Sequence, residues 1–178
     1  KALIVTHCHI DHVGRIPYLL AAGFKGPIFT SVATAKLLPM VIEDALKVGV
    51  TRDEAMIRTC LKILKQQIIS LDFNTWYSIP VGVGFSPENV ASSKQNPLYK
   101  IRLQRAGHIL GSAYVEIELG TKPNTHRVVF SGDLGAPYTP LLPTPKSPYR
   151  ADTLVIESTY GDKNHQGRKE RVAVLKKV

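Results

Sequence analysis

A short apolar stretch that runs directly into a cluster of histidines constrains this chain most. Residues 2–6 (ALIVT) form a continuous apolar run, which is typical of a strand buried on both faces. The motif THCHIDH follows at once, and residues 1–14 hold three of the six histidines of the chain. Imidazoles and carboxylates at this density are costly to bury unless something binds them. The sequence therefore predicts a buried strand whose end opens into a polar binding site.

The alternation of side chains along this motif indicates a metal site. In an extended segment His7 and His9 point one way, and Cys8 points the other way, where we expect it to pack. The turn that follows can bring Asp11 and His12 back towards the same space. Two imidazoles two residues apart can share one metal ion, an adjacent carboxylate and imidazole can hold a second, and zinc accepts both ligand types. The alternative is a surface histidine patch, which the apolar strand leading into the motif disfavours.

Two later loops offer further ligands. His108 lies in RAGHILGS, a glycine-flanked loop after an alternating strand, and is the best candidate for a third imidazole. Asp133 follows the strand at 128–131 in VVFSGDLG, where one carboxylate could bridge two metal ions, although a Gly-Asp pair is also a common turn. We expect His126 to be exposed, whereas His165 could contact a phosphate or the backbone.

Helical periodicity dominates the first part of the chain and strand alternation the later part. The predicted helices cover residues 13–22, 33–48 and 52–67, and the predicted strands cover residues 2–6, 27–30, 99–105, 114–119, 126–131 and 153–157. A stretch with five prolines at 136–149 predicts an extended surface connection, and the polar residues 86–97 predict a loop. This order favours an α/β sandwich over a Rossmann sheet.

The apolar stripes of two helices predict which faces are buried. On the helix at 33–48 the predicted stripe consists of Leu37, Val41, Ala45 and Val48. The helix at 52–67 is expected to begin with a capping box made by Thr51 and Glu54. Its predicted stripe consists of Met56, Cys60, Ile63 and Leu64, which makes Cys60 a structural thiol.

Composition and charge restrict the class of protein and its partners. The 178 residues are 44% hydrophobic and 21% charged, enough for one core, and no apolar run is long enough for a transmembrane helix. Two cysteines are too few for a disulfide framework and favour a reducing compartment. The formal charge of +9 favours an anionic partner such as nucleic acid or an acidic membrane surface. The chain starts at a strand and ends in a helical pattern without a stop signal, so we expect a segment of a longer protein.

Four stretches, in order, resemble the metallo-β-lactamase superfamily and its β-CASP nuclease branch. They are THCHIDHVG, AGHILGSA, FSGDLG and LVIESTYG, and the ESTYG stretch is the one that points to β-CASP. Within that branch the chain is similar to RNA-processing members such as the cleavage and polyadenylation factor endonuclease and its prokaryotic relatives. The resemblance implies an αββα sandwich, incomplete at its N-terminus, over residues 1–157. It implies the start of a β-CASP domain over residues 158–178.

The resemblance also implies the cofactor, the substrate and the role of each site residue. The ligands of two zinc ions per complete chain would be His7, His9 and His108 for one ion, Asp11 and His12 for the other, and Asp133 as the bridge. The catalytic residues would be Asp11, Asp133 and Glu157, the last by orienting a histidine that acts as general acid. The substrate would be single-stranded RNA. The protein would be cytoplasmic, or nuclear if eukaryotic, with a homodimer or a processing complex as its assembly and no membrane partner.

Three departures from the family pattern accompany the resemblance. The chain lacks the early strands with their first aspartate, and Ala136 stands where many relatives have a basic residue. It also lacks two later histidines, of which one is the general acid and the other completes the second zinc site. A thioester or lactam hydrolase of the same fold, a non-catalytic scaffold subunit, and DNA as substrate are the competing interpretations. A scaffold is disfavoured by the ligands that are present, namely His7, His9, Asp11, His12, His108 and Asp133. The features that favour a nuclease are ESTYG and the basic residues Lys163, Arg168, Lys169, Arg171, Lys176 and Lys177.

Overall fold

The computed structural model describes residues 1–79, 99–121, 123–137, 139–163 and 174–176. The elements in this part follow the order β1 (Leu3–Ile4), α1 (Ile10–Val13), α2 (Ile16–Ala21), β2 (Ile28–Ser31), α3 (Val32–Gly49), α4 (Glu54–Gln67), β3 (Ile68–Leu71), β4 (Trp76–Ile79), β5 (Tyr99–Arg105), β6 (Ala113–Thr121), β7 (Asn124–Phe130) and β8 (Thr153–Val155). The predicted loop at 86–97 and most of the basic C-terminal segment lie outside the described residues.

Two sheets and one layer of helices pack as three layers. The first sheet is parallel and has the order β1-β2-β3, and the second has the order β4-β5-β6-β7-β8, antiparallel except for its last pair. One apolar core lies between the helices and the first sheet and includes Val13, Leu38 and Ile42. A second core lies between the sheets and includes Phe29 and Leu103. The predicted α/β class is confirmed.

The alternating strands form where the sequence predicts them. The strand predicted at 99–105 is β5, and its residues Ile101 and Leu103 are buried between the sheets. Strands β2, β6, β7 and β8 occur within a few residues of their predicted positions, and β1 is shorter than the run at 2–6. The residues at 139–149 form no regular element, in agreement with the predicted connection.

The single helix predicted at 13–22 is wrong, because the structure has two short helices there. Helix α1 already begins at Ile10, so Asp11 and His12 lie in a helical turn. A new helix then begins after Arg15, where Pro17 occupies the first turn, a position in which proline needs no backbone donor. Because the helix is interrupted between α1 and α2, the direction of the segment with Asp11 and His12 is independent of the direction of α2.

The buried faces of α3 and α4 differ from the predicted stripes. On α3 the buried side chains are Thr34, Leu38, Ile42 and Leu46, one residue further along than predicted, and Val48 is 82% exposed. Adjacent apolar pairs give α3 two possible stripes, and packing against the sheet decides between them. On α4 the predicted residue Leu64 is buried together with Ile57, and Cys60 is partly buried and packs against the same core. Met56 and Ile63 are exposed, contrary to the prediction.

The predicted capping box at the start of α4 is also wrong. Asp53 is the N-cap, and its Oδ1 accepts hydrogen bonds from the backbone N–H of Ala55 (2.8 Å) and Met56 (3.1 Å). Thr51 lies two residues earlier, where its hydroxyl accepts a hydrogen bond from the Asp53 N–H at 3.0 Å. Aspartate is as good an N-cap as threonine or better, so the helix begins two residues later than predicted.

One buried polar network lies on the face of the second sheet that points away from the first. Glu116 is fully buried and pairs with Arg102. The alternation along β6 indicates only that its side chain and that of Val115 point to different faces of the sheet. The Trp76 ring lies between two guanidinium groups, 4.5 Å from that of Arg102 and 5.0 Å from that of Arg127. Arg127 in turn pairs with Glu118 at 2.7 Å. Because buried charges are tolerated only when they are paired, these contacts offset part of the cost of burying Glu116.

Candidate metal centre

The six predicted ligands meet at one end of the two sheets. They form two groups that share Asp133, and within each group the ligand atoms lie within 4.8 Å of one another. The larger group contains His7, His9, His108 and Asp133, and the smaller contains Asp11, His12 and Asp133. The structure therefore brings together every residue that the sequence assigns to a metal site, while their role as zinc ligands stays a prediction.

Ring nitrogens of three histidines converge in the larger group. The Nδ1 atom of His9 lies 3.2 Å from His7 Nε2 and 3.1 Å from His108 Nε2. The Oδ2 atom of Asp133 lies 3.8 Å from His7 Nε2 and 3.5 Å from His108 Nε2. Three imidazole nitrogens and one carboxylate oxygen thus surround a common point.

The smaller group uses the other oxygen of the same carboxylate. Asp133 Oδ1 lies 3.2 Å from His12 Nε2, which in turn lies 3.3 Å from Asp11 Oδ2. Asp11 is the most exposed of these residues, because α1 carries it on the solvent side. Since its two oxygens face different groups, Asp133 has the arrangement of a bridging ligand.

The end of β1 positions the first two histidines. His7 is fully buried and its Nδ1 lies 3.1 Å from the hydroxyl of Thr6, which leaves Nε2 directed into the cluster. Cys8 points the other way and packs in the core beneath the helices, as predicted. One turn of helix then returns Asp11 and His12 to the same side.

Burial makes His7 a neutral imidazole. Burial lowers its pKa to about 4, and repulsion by His12 acts in the same direction while the Asp133 carboxylate opposes both. At neutral pH the ring therefore carries no charge, and a neutral imidazole is the form that binds a metal ion.

A serine closes the loop that carries His108. The Ser112 hydroxyl accepts hydrogen bonds from the backbone N–H of His108 at 2.9 Å and of Ile109 at 3.2 Å. Gly107 precedes the histidine with a φ of +68°, a conformation that favours glycine. The loop thus presents the His108 ring to the cluster.

The loops of His108 and Asp133 pack backbone against backbone. Gly135 N–H donates a hydrogen bond to the Ala106 carbonyl at 2.7 Å. A Cβ added at Gly135 would overlap the Gly107 carbonyl and lie 2.8 Å from the His108 nitrogen. Only a residue without a side chain permits this approach, so glycine at 135 sets the separation of two ligands.

Glu157 stabilises the Asp133 loop from the opposite side. Its Oε1 accepts a hydrogen bond from the Leu134 N–H at 2.6 Å, and its own N–H donates to the Ser131 hydroxyl at 2.9 Å. These two contacts flank Asp133 in the sequence. Within the described residues the Glu157 carboxylate meets no histidine ring, so its predicted action on a general acid stays a prediction.

The remaining histidines lie apart from the cluster or outside the described residues. His126 is exposed, as predicted, and its Nε2 lies 2.9 Å from the Thr153 hydroxyl. His165 lies outside the described part of the chain. The sequence does not predict the roles of Ser112, Ser131 and Thr6, because a small hydroxyl residue beside glycine or histidine has no distinctive pattern.

An open cleft of about 450 Å³ adjoins the centre. His108, Asp133 and Gly135 form one side of it, and residues 156–161 form the other. The cleft gives a molecule of the size of a nucleotide direct access to the ligands.

The donor set fits zinc. Imidazole nitrogen and carboxylate oxygen are both zinc ligands, and catalytic zinc sites leave at least one position for water or substrate. The larger group offers four donors and the smaller group three. Among the described helices, none combines the length and the apolar character needed to cross a bilayer.

Comparisons with known proteins find relatives that are named as a ribonuclease and as transcription termination factors. No protein-family model matches the chain. It is 32% identical over 176 residues to ribonuclease TTHA0252 of Thermus thermophilus, covering 96% of this chain and 34% of that protein. It is 30% identical over 167 residues to the transcription termination factor FttA of Methanocaldococcus jannaschii, covering 90% of this chain and 23% of the factor. For FttA of Pyrococcus horikoshii the identity is 32% over 168 residues, with coverage of 92% and 23%. The chain is thus similar to these proteins over most of its own length. It spans about a third of the ribonuclease and about a quarter of each termination factor.

Proposed function

We propose that the chain is the metallo-β-lactamase part of a β-CASP ribonuclease that hydrolyses RNA phosphodiester bonds with two zinc ions. In this proposal residues 1–157 belong to the metallo-β-lactamase domain and residues 158–178 begin the β-CASP domain. The observation that carries it is the carboxylate of Asp133, whose two oxygens face the two ligand groups. The similarity to a protein named as a ribonuclease supports RNA as the substrate.

Each residue of the centre has a defined task in this proposal. His7, His9 and His108 would hold one ion, Asp11 and His12 the other, and Asp133 both. When bound, two zinc ions would supply water activated near neutral pH and would neutralise charge on the phosphodiester. The chain contributes neutral His7, the turn of α1 and the paired loops, which together hold six ligands in place without rearrangement. Asp11 is the most solvent-exposed of the six residues.

Charge and cleft size support a single-stranded polyanion as the substrate. The formal charge is +9, and cations attract the phosphates of a nucleic acid in a salt-dependent way. The cleft beside Asp133 has room for about one nucleotide, which favours an unpaired strand over a duplex. We place the protein inside the cell, where RNA is processed, with a homodimer or a processing complex as its assembly.

The decisive experiment compares substrates with the full-length protein that contains this chain. We expect zinc-loaded protein to cleave labelled single-stranded RNA and to leave lactam and thioester substrates intact. Hydrolysis of a thioester without cleavage of RNA would replace the nuclease by a small-molecule hydrolase. Equal cleavage of DNA of the same sequence would remove the preference for RNA, and RNA binding without hydrolysis of any substrate would indicate a scaffold.

Glu157→Gln is expected to separate turnover from metal binding. Glutamine keeps an oxygen that can accept from the Leu134 N–H, so the Asp133 loop and the zinc content should stay near normal. The negative charge is lost, and we expect turnover to fall by roughly 10–100-fold, as for other groups that act through a neighbour. Elemental analysis and single-turnover RNA cleavage measure the two quantities.

Glu157→Ala is the comparison for that variant. Alanine removes the acceptor, so the Leu134 N–H loses its partner and we expect zinc affinity to fall together with turnover. A Glu157→Gln protein that loses zinc, or that cleaves RNA at the normal rate, would contradict the role assigned to Glu157.

A further inference from the structure

Two apolar side chains are exposed on one wall of the cleft beside the metal centre. Ile156 is 58% exposed and Tyr160 is 55% exposed, and both line the cleft. Exposed apolar groups in a cleft beside metal-ligating side chains indicate a surface that contacts a ligand. The hydroxyl residues Ser158 and Thr159 lie between them on the same wall.

The other residues that line the cleft include two of the metal centre. These are His108 and Asp133, with Leu134, Gly135 and Ala136 beside them. The cleft of about 450 Å³ therefore combines side chains of the proposed metal centre with an exposed apolar surface.

Hydrogen bonds connect the apolar wall to the metal centre. Glu157 lies within the wall and accepts from the Leu134 N–H, which adjoins Asp133. Two turns follow, in which the Gly161 N–H donates to the Ser158 carbonyl at 3.0 Å and the Lys163 N–H to the Tyr160 carbonyl at 3.3 Å. The wall thus keeps a defined position relative to the ligands.

We propose that Tyr160 is a stacking platform for the nucleobase next to the scissile phosphodiester, with Ile156 extending the apolar surface. Aromatic rings stack on any base, because each base has a π face, so Tyr160 supplies affinity without a strict sequence preference. The hydroxyls of Ser158 and Thr159 are placed to hydrogen-bond the sugar. This inference rests on the proposed function, because it takes RNA as the molecule in the cleft.

The test is a double-mutant cycle that pairs a protein change with a nucleotide change. Full-length Tyr160→Ala and wild type are titrated with a 2′-O-methyl oligonucleotide, which resists cleavage, and with versions abasic at one position each. We expect Tyr160→Ala to raise Kd roughly ten-fold, within the range for base–aromatic stacking. At one position, removal of the base should weaken binding to the wild type by the same factor as Tyr160→Ala does. The same change should have little further effect on binding to the variant. Independent effects at every position would overturn the proposal.

Further variants keep the result interpretable. Tyr160→Phe should bind like wild type, whereas Tyr160→Leu keeps apolar bulk without a ring and should bind like Tyr160→Ala, even if the alanine protein folds poorly. Tyr149→Ala is the matched control, because Tyr149 is 96% exposed and lies outside the cleft. Equal binding by the leucine and phenylalanine variants would reject stacking.

A substrate that lacks one base separates this proposal from the proposed function. A cleavable RNA that is abasic at the position identified by the cycle has no ring to stack there, so Tyr160→Ala should hydrolyse it within about two-fold of the wild-type rate, while its KM for intact RNA rises with little change in kcat. Failure of the wild type to hydrolyse any phosphodiester would overturn the proposed nuclease. The binding cycle would then still decide whether Tyr160 stacks on a base.

Discussion

We expect Asp133→Ala to remove both the metal binding and the activity of the full-length protein. One oxygen of Asp133 faces His12 and the other faces His7 and His108, so the substitution removes a donor from each group. We expect the zinc content to fall from about two per chain to one or none. RNA cleavage should fall by at least about 10³-fold, more than the 10–100-fold typical of groups outside the ligand shell. Elemental analysis and cleavage assays measure both effects.

The controls for Asp133 separate its charge from its shape. Asp133→Asn keeps the shape and one oxygen, so it should retain more metal than Asp133→Ala while remaining almost inactive. Asp72→Asn changes an exposed aspartate away from the centre and should leave zinc content and cleavage unaltered. An Asp133→Ala protein that keeps two zinc ions would remove Asp133 from the ligand set.

Gly135→Ala should damage both stability and the metal centre. The added Cβ would overlap the Gly107 carbonyl and crowd the nitrogen of His108, and both are backbone atoms that cannot rotate away. Forced overpacking of this kind should lower the free energy of unfolding by about 2–4 kcal/mol. It should also separate His108 from Asp133, so zinc affinity should fall as well. Thermal unfolding with and without zinc, together with zinc titration, measures the two effects.

Gly49→Ala is the matched control for that substitution. Nothing lies within 4 Å of a Cβ added at Gly49, which ends α3, so the variant should be as stable as wild type or slightly more stable. If Gly135→Ala were equally harmless, the two loops would have to be free to move apart, and the close approach of Gly107 would have no role in holding the ligands.

The candidate centre could be predicted from the sequence more completely than the fold around it. The alternation of side chains in THCHIDH places His7 and His9 on one side, and the structure does the same. The loops of His108 and Asp133 were recognisable because each follows a strand and contains glycine. The contact between Gly107 and Gly135 could not be predicted, since it depends on how two loops distant in sequence pack together.

The errors in the predicted fold have local physical causes. Strand β3 begins where α4 ends, at Ile68, so the change of periodicity has no turn residue to mark it. On α3, adjacent pairs such as Leu37 and Leu38 make two faces apolar, and only the sheet beneath selects one. Glu116 is charged and yet buried, because Arg102 and the Trp76 ring supply a partner and a cover that the pattern of β6 alone does not indicate.

The backbone hydrogen bond from the Ala113 N–H to the Thr6 carbonyl, 2.9 Å long, joins the two sheets at the residue before His7. It connects segments far apart along the chain, and His108 and Asp133 reach the same point from equally distant positions. Contacts between remote segments form late in folding, because the entropy of closing a long loop opposes them. If zinc binds as proposed, ions added during refolding would therefore meet the six ligands together only late in the reaction. The stabilisation by bound zinc should then appear as slower unfolding rather than faster folding.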